Sequence, residues 1–111
     1  FMHTRWCKYC GLLRHTTLKN SSIVELLNNK YYYIEFDAEE KRSVLFNKRQ
    51  FVYRPTGLNT GLHQLATVLG DVNGMVSFPA LCFLNTDYEI VFQYSQYLNS
   101  KELLSIITKL L

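Results

Sequence analysis

The feature that most constrains this chain is a pair of cysteines, Cys7 and Cys10, placed where a strand gives way to a helix. Phe1-Met2 is typical of the end of a strand, and a helical pattern runs from Cys7 to about Leu18. In a helix, this spacing brings the two sulfurs within bonding reach across one turn. The sequence therefore predicts a disulfide or a reactive dithiol at the start of a helix.

The predicted position of Cys7 favours a reactive thiolate. The first turn of a helix has unpaired backbone N–H groups and the positive end of the helix dipole, and both stabilise an anion. Arg5 and Lys8 add positive charge close by. Because the thiolate is the nucleophile in disulfide exchange, Cys7 is predicted to attack. Cys10, one turn further and more buried, is predicted to resolve the mixed disulfide.

The composition excludes several classes of protein. Three cysteines in 111 residues are too few for a disulfide-stapled mini-protein. The third cysteine, Cys82, is expected to be a buried small hydrophobe in a core strand. The formal charge of +3 is spread along the chain, so no nucleic-acid partner is predicted. The apolar runs are too short to span a bilayer.

The hydrophobic pattern predicts one domain over residues 1–111. After the helix that carries the cysteines come a short helix, a strand, a hairpin, a helix, two antiparallel strands and a final helix capped by Asn99 or Ser100. Their predicted bounds, in that order, are 23–28, 31–37, 44–53, 58–69, 80–84, 90–94 and 101–111. The strand at 31–37 is almost continuously apolar, which is typical of a strand covered on both faces.

This order predicts an α/β fold. A strand, a helix and a second strand at the front imply a parallel pair with a right-handed crossover, and the later strands add antiparallel pairing. The expected architecture has three layers, α/β/α, around a mixed central sheet. A β-hairpin insert is expected at about residues 39–57, and the first strand looks truncated, with only Phe1-Met2 present.

Ser77-Phe78-Pro79-Ala80 is the second informative segment. A proline at the start of an interior strand needs a structural reason, and a cis peptide bond is one. Such a turn would present backbone polar groups beside the thiols, where an incoming peptide could pair as an extra strand.

Together these motifs resemble the thioredoxin-like superfamily, in its branch of bacterial W-C-x-x-C proteins, many of them secreted or periplasmic. Trp6-Cys7-Lys8-Tyr9-Cys10 resembles the active site of that family, and Phe78-Pro79 resembles its cis-proline segment. The segment 16–40 and the hairpin with the following residues 63–66 are also similar to that branch. The resemblance covers nearly the whole chain.

The resemblance implies a role for each matching residue. Cys7 is expected to attack and Cys10 to resolve, while Trp6 shields the sulfurs and Pro79, next to Phe78, docks the substrate. It also implies a thiol-disulfide oxidoreductase acting on protein disulfides, with an upstream electron donor or acceptor as a second partner. No cofactor is expected beyond the redox-active disulfide Cys7–Cys10.

Several positions depart from the thioredoxin pattern. Lys8-Tyr9 replaces the usual Gly-Pro between the cysteines, and Phe78 is bulkier than the usual residue before the proline. Phe1 stands where thioredoxins have a buried Asp that accepts a proton, and Glu35 is a candidate replacement. Arg5, Lys8, Tyr9 and Glu35 are therefore predicted to tune the site, with the direction of electron flow left open.

Other interpretations of the cysteines are less well supported. An inert structural disulfide does not need a helix N-terminus flanked by cations. A tetrahedral zinc site needs further ligands, which His3, His15, His63 and Cys82 do not supply at the right spacing, so no metal is predicted. Alternative functions are a non-catalytic binding or chaperone module of the same fold, and a pathway-specific reductase for cytochrome or metal-centre maturation.

The resemblance also bears on the setting of the protein. A monomer in an extracytoplasmic compartment, periplasmic or secreted, is expected, although a cytoplasmic protein also fits an unstapled fold with one dithiol. The short first strand predicts that the chain continues upstream, with a signal segment or a membrane anchor as candidates.

Overall fold

The computed structural model describes residues 1–111 and contains four α-helices and ten short strands. The α-helices are α1 (Lys8–His15), α2 (Ser21–Lys30), α3 (Gln64–Gly70) and α4 (Ser100–Lys109), and a 3₁₀ turn at Thr17–Lys19 joins the first two. The strands are β1 (Met2–His3), β2 (Phe36–Asp37), β3 (Val44–Phe46), β4 (Arg49–Phe51), β5 (Tyr53–Gly57), β6 (Thr60–His63), β7 (Asp71–Val72), β8 (Met75–Val76), β9 (Leu81–Leu84) and β10 (Ile90–Tyr94). None of the helices is long and apolar enough to cross a membrane.

A mixed central sheet is built around β1. β2 pairs with β1 in parallel, with Met2 opposite Phe36 and His3 opposite Asp37. On the other side, Met2 forms an antiparallel bridge to Ala80, through backbone hydrogen bonds of 2.8 and 3.2 Å. Ala80 leads into β9, which is antiparallel to β10. The parallel pair β1–β2 and the antiparallel pair β9–β10, joined by this single bridge, have the mixed character that the sequence predicts.

Helices cover both faces of this sheet. Leu81 of β9 packs into an apolar cluster with residues of α2 and α4. Its neighbours Ala80 and Cys82 pack on the other side, in a cluster that includes Ala66 of α3. Because successive residues of a strand point to opposite faces, the two clusters lie on opposite sides of the sheet. The predicted three-layer α/β/α arrangement is confirmed.

The last helix begins with a capping box at Asn99, one of the two residues that the sequence predicts as its cap. The Asn99 side chain accepts a hydrogen bond of 2.8 Å from the Glu102 backbone N–H, and the Glu102 carboxylate accepts one of 3.0 Å from the Asn99 N–H. These two bonds satisfy backbone donors that a helix start otherwise leaves unpaired.

Removal of this N-cap is expected to destabilise the fold, because α4 supplies much of one core cluster. We expect Asn99→Ala to lower the free energy of unfolding by about 1 kcal/mol in a urea titration. Lys101→Ala, at an exposed position in the first turn of the same helix, is the control and should change it by less than about 0.5 kcal/mol. Equal losses in the two variants would show that the cap is not the cause.

The strand predicted at 31–37 is wrong in its extent. Only Phe36–Asp37 forms a ladder, because its partner β1 has just two residues. Tyr32 is 100% exposed and Ile34 is 69% exposed, so this segment is not covered on both faces. An apolar run indicates extended backbone but does not show whether a neighbouring strand lies beside it.

The helix predicted at 58–69 is also wrong at its start. A second hairpin, β5 with β6, follows the predicted one and occupies this stretch, so α3 begins only at Gln64. Leu58, assigned by its spacing to a buried helix face, is 91% exposed. Asn59 adopts a positive φ of 62° in the turn of this hairpin, a conformation that does not occur within a right-handed helix.

A third hairpin, β7 with β8, has no counterpart among the predicted elements. Its turn is Asn73-Gly74, with φ values of 56° and 84°. Asn-Gly between short apolar runs is the strongest local hairpin signal. The sequence thus contained a signal for this hairpin, although each of its strands has only two residues.

Candidate functional site

Cys7 and Cys10 form a disulfide at the start of α1. Their Cα atoms are 5.2 Å apart, and Cys7 is the N-cap of the helix. The Cys7 sulfur also accepts a hydrogen bond of 3.0 Å from the Cys10 backbone N–H. The pair therefore lies at a helix N-terminus, where the sequence places it.

The two cysteines differ in exposure. Cys10 is 1% exposed, whereas Cys7 is partly exposed at the end of the helix. A macromolecular thiol or disulfide can approach Cys7 but not Cys10. Sequential exchange needs this asymmetry, because one sulfur must meet the substrate while the other is kept for the resolving step.

The surroundings of Cys7 favour an anionic sulfur. The first turn of α1 contains no acidic residue, and the exposed cations Arg5 and Lys8 lie within two residues of Cys7. In the reduced protein, the N–H of Cys10 would donate to a thiolate, and such charge-assisted bonds are about twice as strong as neutral ones. Hydrogen bond, helix dipole and cations all act in the same direction.

Phe78-Pro79 lies beside the turn that carries the disulfide. The bridge between Met2 and Ala80 brings the residues before β9 next to the end of β1. The rings of Trp6 and Phe78 meet edge-on with centroids 6.3 Å apart, and the Phe78–Pro79 peptide bond is cis. Two motifs separated by about 70 residues in the sequence thus meet at one end of the sheet.

A groove of about 310 Å³ lies next to Tyr9, the residue that precedes Cys10. It is lined by Tyr9, Phe78, Pro79, Ser95, Gln96 and Tyr97. Sequence reasoning selected the first three of these residues and missed the last three. No local pattern links residues 95–97 to the cysteines, because these residues, which precede α4, approach α1 only in the folded chain.

Glu35, the candidate proton acceptor, is held by two other side chains. Its carboxylate accepts hydrogen bonds of 3.0 Å from the Arg14 guanidinium and of 3.1 Å from the Tyr33 hydroxyl. Partial burial works against the charged form, but the two hydrogen bonds and the positive charges of Arg14 and His3 together lower the pKa of the carboxyl. A carboxylate with a lowered pKa is a weak proton acceptor. These contacts favour a role in tying α1 to the segment before β2.

Cys82 is the free cysteine and lies on β9, where it packs against the cluster that includes Ala66 of α3. Burial raises the pKa of its thiol to about 11. A protonated thiol is a poor nucleophile, so the side chain packs as a small hydrophobe, although it is partly exposed and not fully buried as the sequence predicts.

Slow alkylation of Cys82 is expected in the oxidised protein, where it is the free cysteine. Relative to an ordinary cysteine with a pKa of about 8.5, its thiolate fraction at neutral pH should be lower by about 300-fold. Mass spectrometry after iodoacetamide treatment at neutral pH measures the rate, with the urea-unfolded protein as reference. Equal rates in the folded and unfolded chains would contradict this account of Cys82.

No group of three or more His, Cys, Asp or Glu side chains is arranged to hold a metal ion.

Comparison with protein families gives one finding for the whole chain: a family model described as a thioredoxin-like domain matches residues 1–111. No curated protein and no solved structure matches the chain.

Proposed function

The chain belongs to the thioredoxin-like family, and we propose that it is a thiol-disulfide oxidoreductase that exchanges protein disulfides through Cys7 and Cys10. One observation carries the proposal: an accessible sulfur at the N-terminus of α1 is bonded to a buried sulfur three residues further on. This arrangement supports nucleophilic attack by one cysteine and resolution by the other.

In the reducing direction, the reaction begins with both cysteines reduced. The Cys7 thiolate attacks one sulfur of a substrate disulfide and forms a mixed disulfide with it. The other substrate sulfur leaves as a thiolate and takes a proton from solvent. The helix N-terminus, with Arg5 and Lys8 beside it, raises the fraction of Cys7 that is in the thiolate form.

Cys10 then completes the exchange. After losing its proton to solvent, the Cys10 sulfur attacks the Cys7 sulfur, re-forms the Cys7–Cys10 disulfide and releases the second substrate sulfur as a thiolate. Two electrons have passed from the protein dithiol to the substrate. A dithiol electron donor must then reduce the protein disulfide to restore the starting state.

Phe78-Pro79 provides the docking position for the substrate backbone. Proline has no backbone N–H, and the Phe78 N–H and carbonyl make no backbone hydrogen bond within the protein. An extended peptide can pair with these free groups as an added strand. Such pairing would hold the substrate sulfur in front of Cys7 rather than beside the buried Cys10.

Insulin reduction tests the proposal directly. With dithiothreitol as electron donor, the wild-type protein should accelerate the precipitation of reduced insulin chains, and Cys7→Ser should not. Cys82→Ser is the matched control and should keep the wild-type rate. A wild-type protein no faster than dithiothreitol alone would refute turnover.

A binding module that holds clients without exchange is the second candidate, and it is supported by exposed aromatic rings at the site. Trp6 is 68% exposed and Tyr9 is 55% exposed, and exposed apolar groups of this kind favour protein contacts. In that case the double variant Cys7→Ala/Cys10→Ala should bind unfolded clients as well as wild type. An extracytoplasmic location, periplasmic or secreted, and a monomeric state stay predictions from the sequence.

A further inference from the structure

The end of the central sheet opposite the disulfide carries an exposed apolar surface. β1 and β2 run in parallel toward Cys7, so residues 31–34, which precede β2, lie at the far end. The bridge between Met2 and Ala80 is antiparallel, so β9 runs away from the disulfide and the turn that follows it lies at the far end as well. A cavity of about 520 Å³ is lined by residues 31–34 and by Tyr88 of that turn, which shows that the two segments are neighbours.

Four residues form this surface, which we call the tyrosine face: Tyr32, Tyr33, Ile34 and Tyr88. All four side chains are exposed. Tyrosine combines an apolar ring with a polar hydroxyl, and it is enriched where a protein meets the boundary between lipid and water. The composition of the face therefore matches a surface that lies at such a boundary.

Two exposed lysines lie beside the tyrosine face, at the ends of two helices. α2 ends at Lys30, so this lysine directly precedes Tyr31 and the face. The Tyr31 hydroxyl donates a hydrogen bond of 2.7 Å to the Ile107 carbonyl, which brings the last turn of α4, with Lys109, to the same end of the molecule. Neither lysine forms an ion pair with an acidic side chain.

Two more cations approach the tyrosine face from the first hairpin of the insert. The Phe46 ring of β3 meets the Tyr88 ring edge-on with centroids 5.5 Å apart, so the turn after β3 lies beside the face. That turn contains Lys48, and Arg49 follows it. Both are exposed and neither forms an ion pair. The chain has no acidic residue from position 41 to position 70, so nothing in the insert offsets these charges.

Acidic residues are fewer at this end of the molecule. The turn after β9 contains Asp87 and Glu89, and the Glu89 carboxylate accepts a hydrogen bond of 2.9 Å from the Asn85 side chain. Glu35, next to the face, is paired with Arg14. Four unpaired cations thus outnumber two carboxylates without a cationic partner, and the electrostatic potential around the face is positive.

We propose that the tyrosine face docks on an anionic lipid surface, with its rings at the level of the headgroups and the four surrounding cations on lipid phosphates. Each Lys or Arg near such a surface strengthens binding by about fivefold. The cations lie at separate places around the face, and a fluid bilayer meets that spacing without the matched set of acidic side chains that a protein partner would have to supply. A docked molecule presents the disulfide to water, with Cys7 free to react.

Co-sedimentation of the oxidised protein with vesicles tests the proposal. Vesicles of phosphatidylcholine alone are compared with vesicles that also contain an equal amount of phosphatidylglycerol, which is anionic. We expect binding to the anionic vesicles that added salt weakens, and binding at least about tenfold weaker to the neutral ones. Trp6, the only tryptophan, lies at the disulfide end and should keep its fluorescence emission when the protein binds.

Charge variants assign the contact to one end of the molecule. Lys48→Gln/Arg49→Gln should weaken binding to anionic vesicles by about 25-fold. Arg5→Gln/Lys8→Gln removes the same charge at the disulfide end and is the matched control, with binding expected within about threefold of wild type. Equal losses in the two double variants would overturn the proposed orientation.

Tyrosine variants test the apolar part of the contact. Tyr32→Ser removes a fully exposed ring, so the variant needs no repacking, and it should weaken binding by about fivefold. Tyr9→Ser, the same change at the disulfide end, is the control and should bind as the wild type does. Wild-type binding by Tyr32→Ser would overturn the assignment of the contact to the tyrosine face.

Other outcomes also count against the proposal. Equal binding to neutral and anionic vesicles, or to neither, overturns it, and so does a blue shift of Trp6 emission, which would mean docking through the disulfide end. Binding to polyglutamate but not to anionic vesicles would assign the face to an acidic protein. A dimer that Tyr32→Ser abolishes, without vesicle binding, would assign it to a second copy of the chain. These measurements involve no thiol exchange, so their failure leaves the proposed function standing, and a failure to reduce insulin leaves the docking standing.

Discussion

Cys10→Ser is expected to stop turnover and to accumulate covalent adducts through Cys7. The variant keeps the accessible sulfur at the helix N-terminus, so the first attack can still occur. Without the Cys10 sulfur, the mixed disulfide has no internal nucleophile to resolve it. Adducts should be visible on non-reducing gels after incubation with a protein extract, and they should disappear with dithiothreitol.

Two variants make this result specific. Cys7→Ser should give no adducts, because the remaining Cys10 sulfur is only 1% exposed and cannot reach a protein substrate. Adding Cys82→Ser to Cys10→Ser should leave the yield of adducts unchanged, because burial keeps the Cys82 thiol protonated. Adducts that persist in Cys7→Ser, or are lost on removal of Cys82, would contradict the assigned roles.

His63→Ala is expected to lower the free energy of unfolding by about 3 kcal/mol, the largest stability effect predicted here. His63 is 0% exposed. Its Nδ1 accepts a hydrogen bond of 3.1 Å from the Leu65 N–H and so caps α3, which leaves the proton on Nε2 to donate to the Arg42 carbonyl at 2.9 Å. The ring also meets Phe36 edge-on at 5.1 Å.

The loss combines a cavity, a missing helix cap and an unpaired buried carbonyl. Urea denaturation followed by circular dichroism gives the value. His15→Ala, which removes the same side chain from an exposed position on α1, is the control and should change stability by less than about 0.5 kcal/mol. A loss for His63→Ala below about 1 kcal/mol would contradict its role as a junction between α3, β2 and the loop before β3.

Local sequence signals predicted the chemistry of the site well. The spacing of Cys7 and Cys10, the flanking cations and the helix start are all short-range features, and the structure places them together. Local signals also predicted the strand pair at 81–84 and 90–94 and the cap of α4. Turn and capping residues act on neighbours only a few positions away, so their effect can be read from the sequence.

Features that depend on residues far apart in the sequence could not be predicted from local signals. The strand at 31–37 was too long because the length of a ladder is set by the partner strand, here the two residues of β1. Tyr97 was missed because its position in the groove depends on contacts with Thr16 and Thr17, about 80 residues away. Glu35 was a reasonable proton acceptor by position, but its bonds to Arg14 and Tyr33 appear only in three dimensions.

Equilibration of the protein with glutathione buffers of known potential tests the central claim most directly, namely that Cys7–Cys10 is a reversible redox pair. Trp6, beside the disulfide, provides the fluorescence signal. We expect one two-electron transition with a midpoint between about −270 and −120 mV, the span of thioredoxin-fold redox proteins, and no transition in Cys7→Ser. A disulfide that stays oxidised to below about −300 mV, as structural disulfides do, would contradict the claim.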